Sequence, residues 1–184
     1  MSGQGVQTRS IVFFDLETQR SFAEVGGRHN AEHLGLSVAV TYNTVDGEYH
    51  YYTEERVADL IEELKAADLI VGFNLLRFDY EVLRAYTDYP LQRLPTLDIM
   101  DYLYRRLGFR LSLNALAGAT LGTTKLANGL QAVRWWRQGK LRELFEYCRQ
   151  DVEVTRKLYE FGRQNKYVQY RDKHWRIRKV PVNW

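Results

Sequence analysis

The chain has 184 residues, of which 45% are apolar and 27% charged, and its formal net charge is +3. These values are typical of one soluble globular domain with a substantial core. Charges interrupt every apolar run before it reaches the roughly 18 residues needed to cross a bilayer. The first residues also lack the apolar stretch of a signal peptide. We therefore expect a cytoplasmic protein without a membrane partner.

Cysteine content and charge distribution limit the kinds of metal site and binding partner that the chain can have. Cys148 is the only cysteine, which excludes an internal disulfide and a thiolate metal cluster within the chain. Any metal must then be held mainly by oxygen or imidazole ligands. Acidic residues dominate positions 54–68, whereas 134–140 and 166–179 are basic. This asymmetry is compatible with a nucleic-acid partner, although many proteins without such a partner show as much.

Strand-like segments open the chain at residues 11–14, 34–42 and 48–52. The first is a short apolar run, which indicates a buried strand carrying acidic residues at its carboxyl end. Asp46-Gly47 lies between the second and third segments and is a strong hairpin signal, so we predict an antiparallel meander. Residues 68–72 predict a short central strand.

Helices are predicted over residues 54–67, 78–86, 98–107, 112–121 and 141–161. Thr53 is the expected cap of the first helix and Ser112 that of the fourth. The order of strands, helix, strand and helices predicts an α/β sheet with helices packed on it. Alternation over 167–184 favours a terminal hairpin.

Acidic side chains follow the first predicted strand. Asp15 and Glu17 are two apart and therefore point to the same face of that strand. Two adjacent carboxylates repel each other, and a cation between them removes that cost. The alternative is that the strand simply ends there and both acids face water.

Two further patterns place acids on helices. Asp79 falls in the first turn of a helix after the strand that ends at Gly72, where an acid also suits the helix dipole. Tyr147 and Asp151 are four apart and share a helix face. Taken separately, these are equally compatible with an ordinary N-terminal acid and a surface Tyr–Asp pair.

Together the motifs resemble a known family. Asp-x-Glu-Thr at 15–18, Asn-x-x-x-Phe-Asp at 74–79 and Tyr-x-x-x-Asp at 147–151 occur in the order found in the DEDD exonuclease superfamily. The resemblance covers about residues 12–161. The sister branch of that superfamily has a histidine five residues before the last aspartate, where this chain has Glu146, so the tyrosine branch matches better.

The resemblance implies a fold and an activity. It implies an α/β, ribonuclease-H-like mixed sheet, with an antiparallel meander plus parallel strands and flanking helices. It also implies a single domain over 1–184, with a core at about 11–162 and a basic C-terminal extension at about 163–184. The implied activity is 3′→5′ hydrolysis of phosphodiester bonds in DNA or RNA.

Cofactors and catalytic roles follow partly from chemistry and partly from the resemblance. Four carboxylates without soft ligands favour hard cations, Mg²⁺ or Mn²⁺, over zinc. The resemblance implies two such ions, with Asp15 bridging them and Glu17 and Asp151 completing the shell of the first. Asp79 would support the second ion, and Tyr147 would orient the attacking water.

Substrate contacts are expected in three places. The resemblance implies that Leu16, Glu17 and Thr18 bind the 3′-terminal nucleotide, and that Asn74 binds the strand or holds the loop of the site. Arg77 is a candidate phosphate contact beside the second motif. The expected partner is a nucleic acid with a free 3′ end, with single-stranded DNA favoured and RNA as the alternative. A helicase or another repair protein is a second candidate partner.

Basic segments rich in aromatic residues are further candidates for binding. Arg134 and Arg137 flank two tryptophans, and the segment 166–179 likewise mixes cations with aromatics. Such patterns can hold phosphates and stack bases. The alternative is that the tryptophans belong to the core and the cationic tail is only solvated.

The sequence is also compatible with two functions other than an exonuclease. One is a structure-selective endonuclease of the same fold, and the other is a catalytically inactive nucleic-acid-binding module. The sequence does not discriminate DNA from RNA, because no residue in it identifies a contact to a 2′-hydroxyl group.

Overall fold

The computed structural model describes residues 9–123 and 129–184. Its main sheet has the strand order β3-β2-β1-β4-β5. The strands are β1 (Ile11–Thr18), β2 (Leu36–Asn43), β3 (Glu48–Thr53), β4 (Leu69–Gly72) and β5 (Thr96–Asp98). β1, β2 and β3 pair antiparallel, whereas β4 pairs parallel with both β1 and β5. The predicted mixed sheet is therefore confirmed, and β5 is a strand that the sequence did not predict.

Helices flank this sheet. They are α1 (Val57–Ala66), α2 (Asp79–Leu83), α3 (Ile99–Leu107), α4 (Leu113–Thr120), α5 (Gly129–Arg137) and α6 (Leu141–Asn165). Among the described residues, none of these helices is both long and apolar enough to cross a membrane. The longest, α6, continues four residues beyond its predicted end.

The starts of the helices show where local signals succeed. Ser112 caps α4 as predicted, because its hydroxyl accepts the N–H of Ala115 at 3.2 Å. Thr53 does not cap α1, which was a wrong prediction. A 3-10 turn at Glu54–Arg56 precedes that helix, and the Thr53 hydroxyl donates to Glu55 instead. α2 begins one residue after its predicted start, directly behind a 3-10 turn at Leu75–Arg77 and Phe78, and ends at Leu83, three residues before its predicted end.

Alternation along β1 divides the core into two layers. Ile11 and Phe13 face the layer formed largely with α6, whereas Val12, Phe14 and Leu16 face the layer formed with α1 and α2. Each such apolar side chain contributes about 1.5–3 kcal/mol when fully buried. The same alternation places Asp15 and Glu17, the next odd-numbered residues of β1, on the face that meets α6.

The chain ends in the predicted hairpin. β6 (Tyr167–Arg171) and β7 (Ile177–Pro181) pair antiparallel as a separate two-stranded sheet. Trp184 anchors the end of the chain on α6, since its indole N–H donates to the carbonyl of Tyr159 at 3.0 Å. The ring covers Gly162, where an added Cβ would lie 2.6 Å from it, so a larger residue at this position would displace the Trp184 ring.

Candidate active site

Three carboxylates meet where β1 ends against α6. Asp15 and Glu17 project from β1 on the α6 face, and Asp151 lies on α6. One ligand atom from each residue can be chosen so that all of them lie within 4.8 Å of one another. The structure thus brings together acids that are separated by more than a hundred positions in the chain.

Tyr147 lies one helical turn before Asp151 and is nearly buried, with 8% of its surface exposed. A side-chain hydrogen bond joins its hydroxyl to the Asp151 carboxylate. Trp135 of α5 packs edge-on against its ring with the centroids 5.9 Å apart. The phenol is therefore fixed from two sides. Sequence reasoning did not predict α5 or this supporting contact.

Asp79 lies beside the three clustered acids. It begins α2, is 1% exposed, and its Oδ1 accepts the backbone N–H of Leu16 at 3.1 Å. This bond ties the start of α2 to the end of β1. The negative charge of Asp79 raises the pKa of both Asp15 and Glu17, which places it within electrostatic reach of them.

Asp98 supports the loop that carries Asp79, a role that sequence reasoning missed. Its carboxylate accepts the backbone N–H groups of Asn74 at 2.8 Å, Leu76 at 3.1 Å and Asp101 at 3.2 Å. An Asp at the first position of the helix predicted over residues 98–107 is the signal that could have identified Asp98 as a cap. It holds the loop between β4 and α2 in place.

Burial and crowding keep these acids from ionising easily. Burial raises the pKa of Asp15 and Glu17 well above their ordinary values, and repulsion from the neighbouring carboxylates raises it further. Burial also raises the pKa of Asp79 and brings that of Asp151 to about 7. For Tyr147, burial followed by the adjacent negative charges raises the pKa, so its hydroxyl keeps its proton.

The donor set fits a divalent cation. Oδ1 of Asp151 is buried and has no hydrogen-bond partner among the residues that the structure describes. The clustered ligand atoms are all carboxylate oxygens, which suit Mg²⁺ or Mn²⁺. A cation at this position would satisfy the orphaned oxygen and offset the mutual repulsion. Asp15, Glu17 and Asp151 are therefore the residues that could hold it.

Cys148 packs beneath Asp15 and is fully buried. Its thiol donates to the Asp15 backbone carbonyl at 3.3 Å and to Oδ2 at 3.5 Å. Burial, together with the nearby negative charges, raises the pKa of the thiol, so it stays protonated. Cys148 is therefore a packing residue that also donates to a site carboxylate.

A cleft of about 490 Å³ opens onto Asp15 and Glu17. Leu16 and Thr18 line it, as do apolar side chains from the loop after β1, from the region of α2 and from α5: Phe22, Leu34, Phe78, Leu130 and Val133. The Thr18 hydroxyl donates to the carbonyl of Arg20 at 2.9 Å. The cleft combines an acidic end with apolar walls.

A second, cationic depression of about 410 Å³ adjoins the cleft and shares Phe22 and Phe78 with it. Asn74 and Arg77 both line this depression. Asn74 has a left-handed backbone with φ of 72°, and its Oδ1 has no partner among the described residues. Arg77 is exposed and lies 3.9 Å from Asp101. The structure thus places both candidates next to the site.

Arg134 and Arg137 lie on the exposed side of α5. Arg134 forms no ion pair with any described residue, whereas Arg137 pairs with Glu24 in the loop after β1. Trp135 and Trp136 pack against the core layer of α6. These tryptophans therefore take the packing role of the two alternatives.

Fold and site together define an α/β protein with a mixed five-stranded sheet and an acidic cluster at the carboxyl end of its central strand. The RNase_H_2 family, described as RNase_H superfamily, matches residues 12–161. The chain belongs to the RNase_H superfamily. No curated protein matches it significantly.

Solved structures share the fold. Among 68 matching chains is Escherichia coli exonuclease I in complex with a 5cy-dT13 oligonucleotide, with a TM-score of 0.50 and 15% sequence identity. The match covers 87% of this chain and 42% of that chain, so the present chain spans less than half of that protein. At this identity the likeness supports the fold alone.

Proposed function

We propose that this protein is a metal-dependent 3′→5′ exonuclease of the tyrosine-bearing branch of the DEDD superfamily. The observation that carries the proposal is the meeting of Asp15, Glu17 and Asp151 within 4.8 Å, with Tyr147 bonded to Asp151. The order of the motifs supports the choice of branch and of the 3′ end. Nucleic acid is the substrate class that we carry over, as part of the proposal, from the oligonucleotide in the Escherichia coli exonuclease I structure.

Asp15, Glu17 and Asp151 would hold Mg²⁺ or Mn²⁺, and two ions are proposed, with Asp79 supporting the second. Bound metal supplies Lewis acidity, which lowers the pKa of a water molecule and stabilises the charge on a leaving oxygen. Asp79 also holds the carboxyl end of β1 through the N–H of Leu16. The protein fixes these ligands before substrate arrives, because Glu17, Asp79 and Asp151 are buried, Asp15 is partly buried, and each is carried by a strand or helix.

Tyr147 and the walls of the cleft would orient the attacking water molecule and the terminal nucleotide. The Tyr147 hydroxyl stays protonated and bonded to Asp151, so it can orient a water molecule beside the reacting phosphate but cannot act as a base near neutrality. Apolar walls formed by Leu16, Phe22 and Phe78 provide contacts for the sugar and base of the terminal nucleotide. Arg77 lies in the adjoining depression, where the next phosphate would be held.

The test uses single-stranded DNA and RNA labelled at the 5′ end, each incubated with Mg²⁺, Mn²⁺ or EDTA. A ladder that shortens from the 3′ end only in the presence of metal would support the proposal. Immediate internal fragments would indicate the endonuclease, and binding without metal-dependent cleavage would indicate an inactive binding module. Asp151→Asn should abolish cleavage, whereas Asp88→Asn, at an exposed acid outside the site, should not.

A further inference from the structure

The turn of the β6–β7 hairpin presents an unusual residue. Trp175 has a left-handed backbone with φ of 60° and a side chain that is 79% exposed. Bulky residues rarely adopt this conformation, and strained positions of this kind cluster at ligand-binding sites. Asp172 fixes the turn by accepting the N–H groups of His174 at 2.8 Å and Arg176 at 3.0 Å. The indole is therefore held outward on an ordered turn.

Cations surround this indole. Arg171, Lys173 and Arg176 are exposed and form no ion pair with any described residue. Asp172 is the one acid of the hairpin sequence, and Arg178 pairs with it at 2.8 Å. The surface around Trp175 is consequently positive. A flat aromatic ring among free cations suits a polyanion whose units carry planar rings.

A groove of about 630 Å³ runs beside the indole, between the hairpin and α4. Arg171 and Trp175 form one wall, and Asn114 and Gly118 lie on the other. The small residues Ala115, Gly118 and Ala119 on this face of α4 leave open space next to the Trp175 ring. The volume is within the range of sites that enclose small organic ligands, so it can accept a base with its sugar.

Aromatic and cationic residues lie between the β6–β7 hairpin and the candidate active site. Phe109 is 45% exposed and packs edge-on against Tyr170 of β6, with the ring centroids 5.6 Å apart. The next residue, Arg110, lines the cationic depression that contains Arg28 and Arg77. That depression in turn adjoins the acidic cleft. Cationic and aromatic side chains thus follow one another from the acids to the hairpin.

We infer that the groove between α4 and the β6–β7 hairpin is a second binding site for single-stranded nucleic acid, upstream of the end that enters the acidic cleft. A base stacks on Trp175, and phosphates lie against Arg171, Lys173 and Arg176. Because every base has a face that can stack, this site binds without regard to sequence. The polarity of the bound nucleic acid, with its 3′ end in the acidic cleft, rests on the proposed function. Binding to the groove does not depend on it.

Binding to intact oligonucleotides tests this inference. The Asp151→Asn protein would be titrated with 5′-labelled oligothymidylates of about 4 and about 16 nucleotides, followed by fluorescence anisotropy. Adding Trp175→Ala should weaken binding of the long oligomer about 5- to 100-fold and leave that of the short one unchanged. Trp175→Phe should retain most of the affinity. Lys173→Gln should reduce the slope of log affinity against log salt by about 0.7.

Two control substitutions lie outside the groove, the acidic cleft and the cationic depression. Tyr89→Ala removes another exposed aromatic ring, and Arg93→Gln another exposed cation, so neither should alter binding of the long oligomer. Unchanged long-oligomer binding by Trp175→Ala would overturn the inference, as would equal weakening of both lengths. Absence of nuclease activity in the wild-type protein would contradict the proposed function, whereas the effect of Trp175→Ala would still support this site.

Discussion

Asp151→Asn should stabilise the metal-free protein at alkaline pH while removing its response to metal. The carboxylates of Asp15, Glu17 and Asp151 can approach within 4.8 Å of one another. At an effective dielectric constant of about 20, each pair of charges at this separation repels by about 3 kcal/mol. Burial of the Asp151 carboxyl raises its pKa from 3.8 to about 7, which corresponds to about 4 kcal/mol lost on ionisation in the folded state.

The pH dependence follows from the direction of this shift. The folded-state pKa lies above the unfolded value, so the folded protein binds more protons between the two pKa values, and its stability falls as pH rises. Without metal, the wild type should be more stable at about pH 5 than at about pH 8. Asp151→Asn should be about 2–4 kcal/mol more stable than the wild type at the higher pH, because one buried charge is gone.

Urea unfolding in EDTA at both pH values measures these free energies, and thermal unfolding with added Mn²⁺ measures the response to metal. Metal should raise the melting temperature of the wild type and have little effect on the variant. Asp88→Asn, at an exposed acid, is the control and should behave as the wild type does. If wild-type stability in EDTA were equal at both pH values and the variant gained nothing, the carboxylates would not share one buried cluster.

Other substitutions separate chemistry from binding. Asp15→Ala should abolish hydrolysis with an unchanged circular dichroism spectrum, and measurable turnover would contradict its role. Tyr147→Phe should retain metal-induced stabilisation but lose about 100-fold in kcat, because the hydroxyl that orients the attacking water is missing. An unchanged kcat would remove Tyr147 from the mechanism. Arg134→Gln with Arg137→Gln should raise KM, and the difference from wild type should depend on salt. Salt-independent kinetics in that variant would exclude these cations from binding.

Local rules predicted much of the site because its motifs are short. Residues two apart on a strand share a face, which places Asp15 with Glu17, and residues four apart on a helix share a face, which places Tyr147 with Asp151. The sheet content followed from apolar runs and from the turn at Asp46-Gly47. These predictions needed only the backbone geometry of single elements.

Tertiary packing decided what local rules did not. The side of α6 that meets the end of β1 depends on which β1 residues face which core layer, and no single segment contains that information. α5 was not predicted, because the cations and tryptophans of this segment were interpreted as a possible binding surface. In the structure the helix buries Val133, and its Trp135 packs against the ring of Tyr147. Thr53 failed as a cap because a 3-10 turn intervenes before α1.

Buried acids in this protein fall into two kinds, which a matched substitution can distinguish. Burial raises the pKa of Asp98, but its carboxylate accepts three backbone N–H groups, which lower that pKa and stabilise the loop that carries Asp79. Asp151 has an oxygen without any described partner, so its charge opposes folding until a cation arrives. Asp98→Asn directs an amide toward backbone donors and should cost about 1–3 kcal/mol in the same urea assay in EDTA. Asp151→Asn should have the opposite sign; if both variants shifted stability in the same direction, burial alone and not hydrogen bonding would govern these two acids.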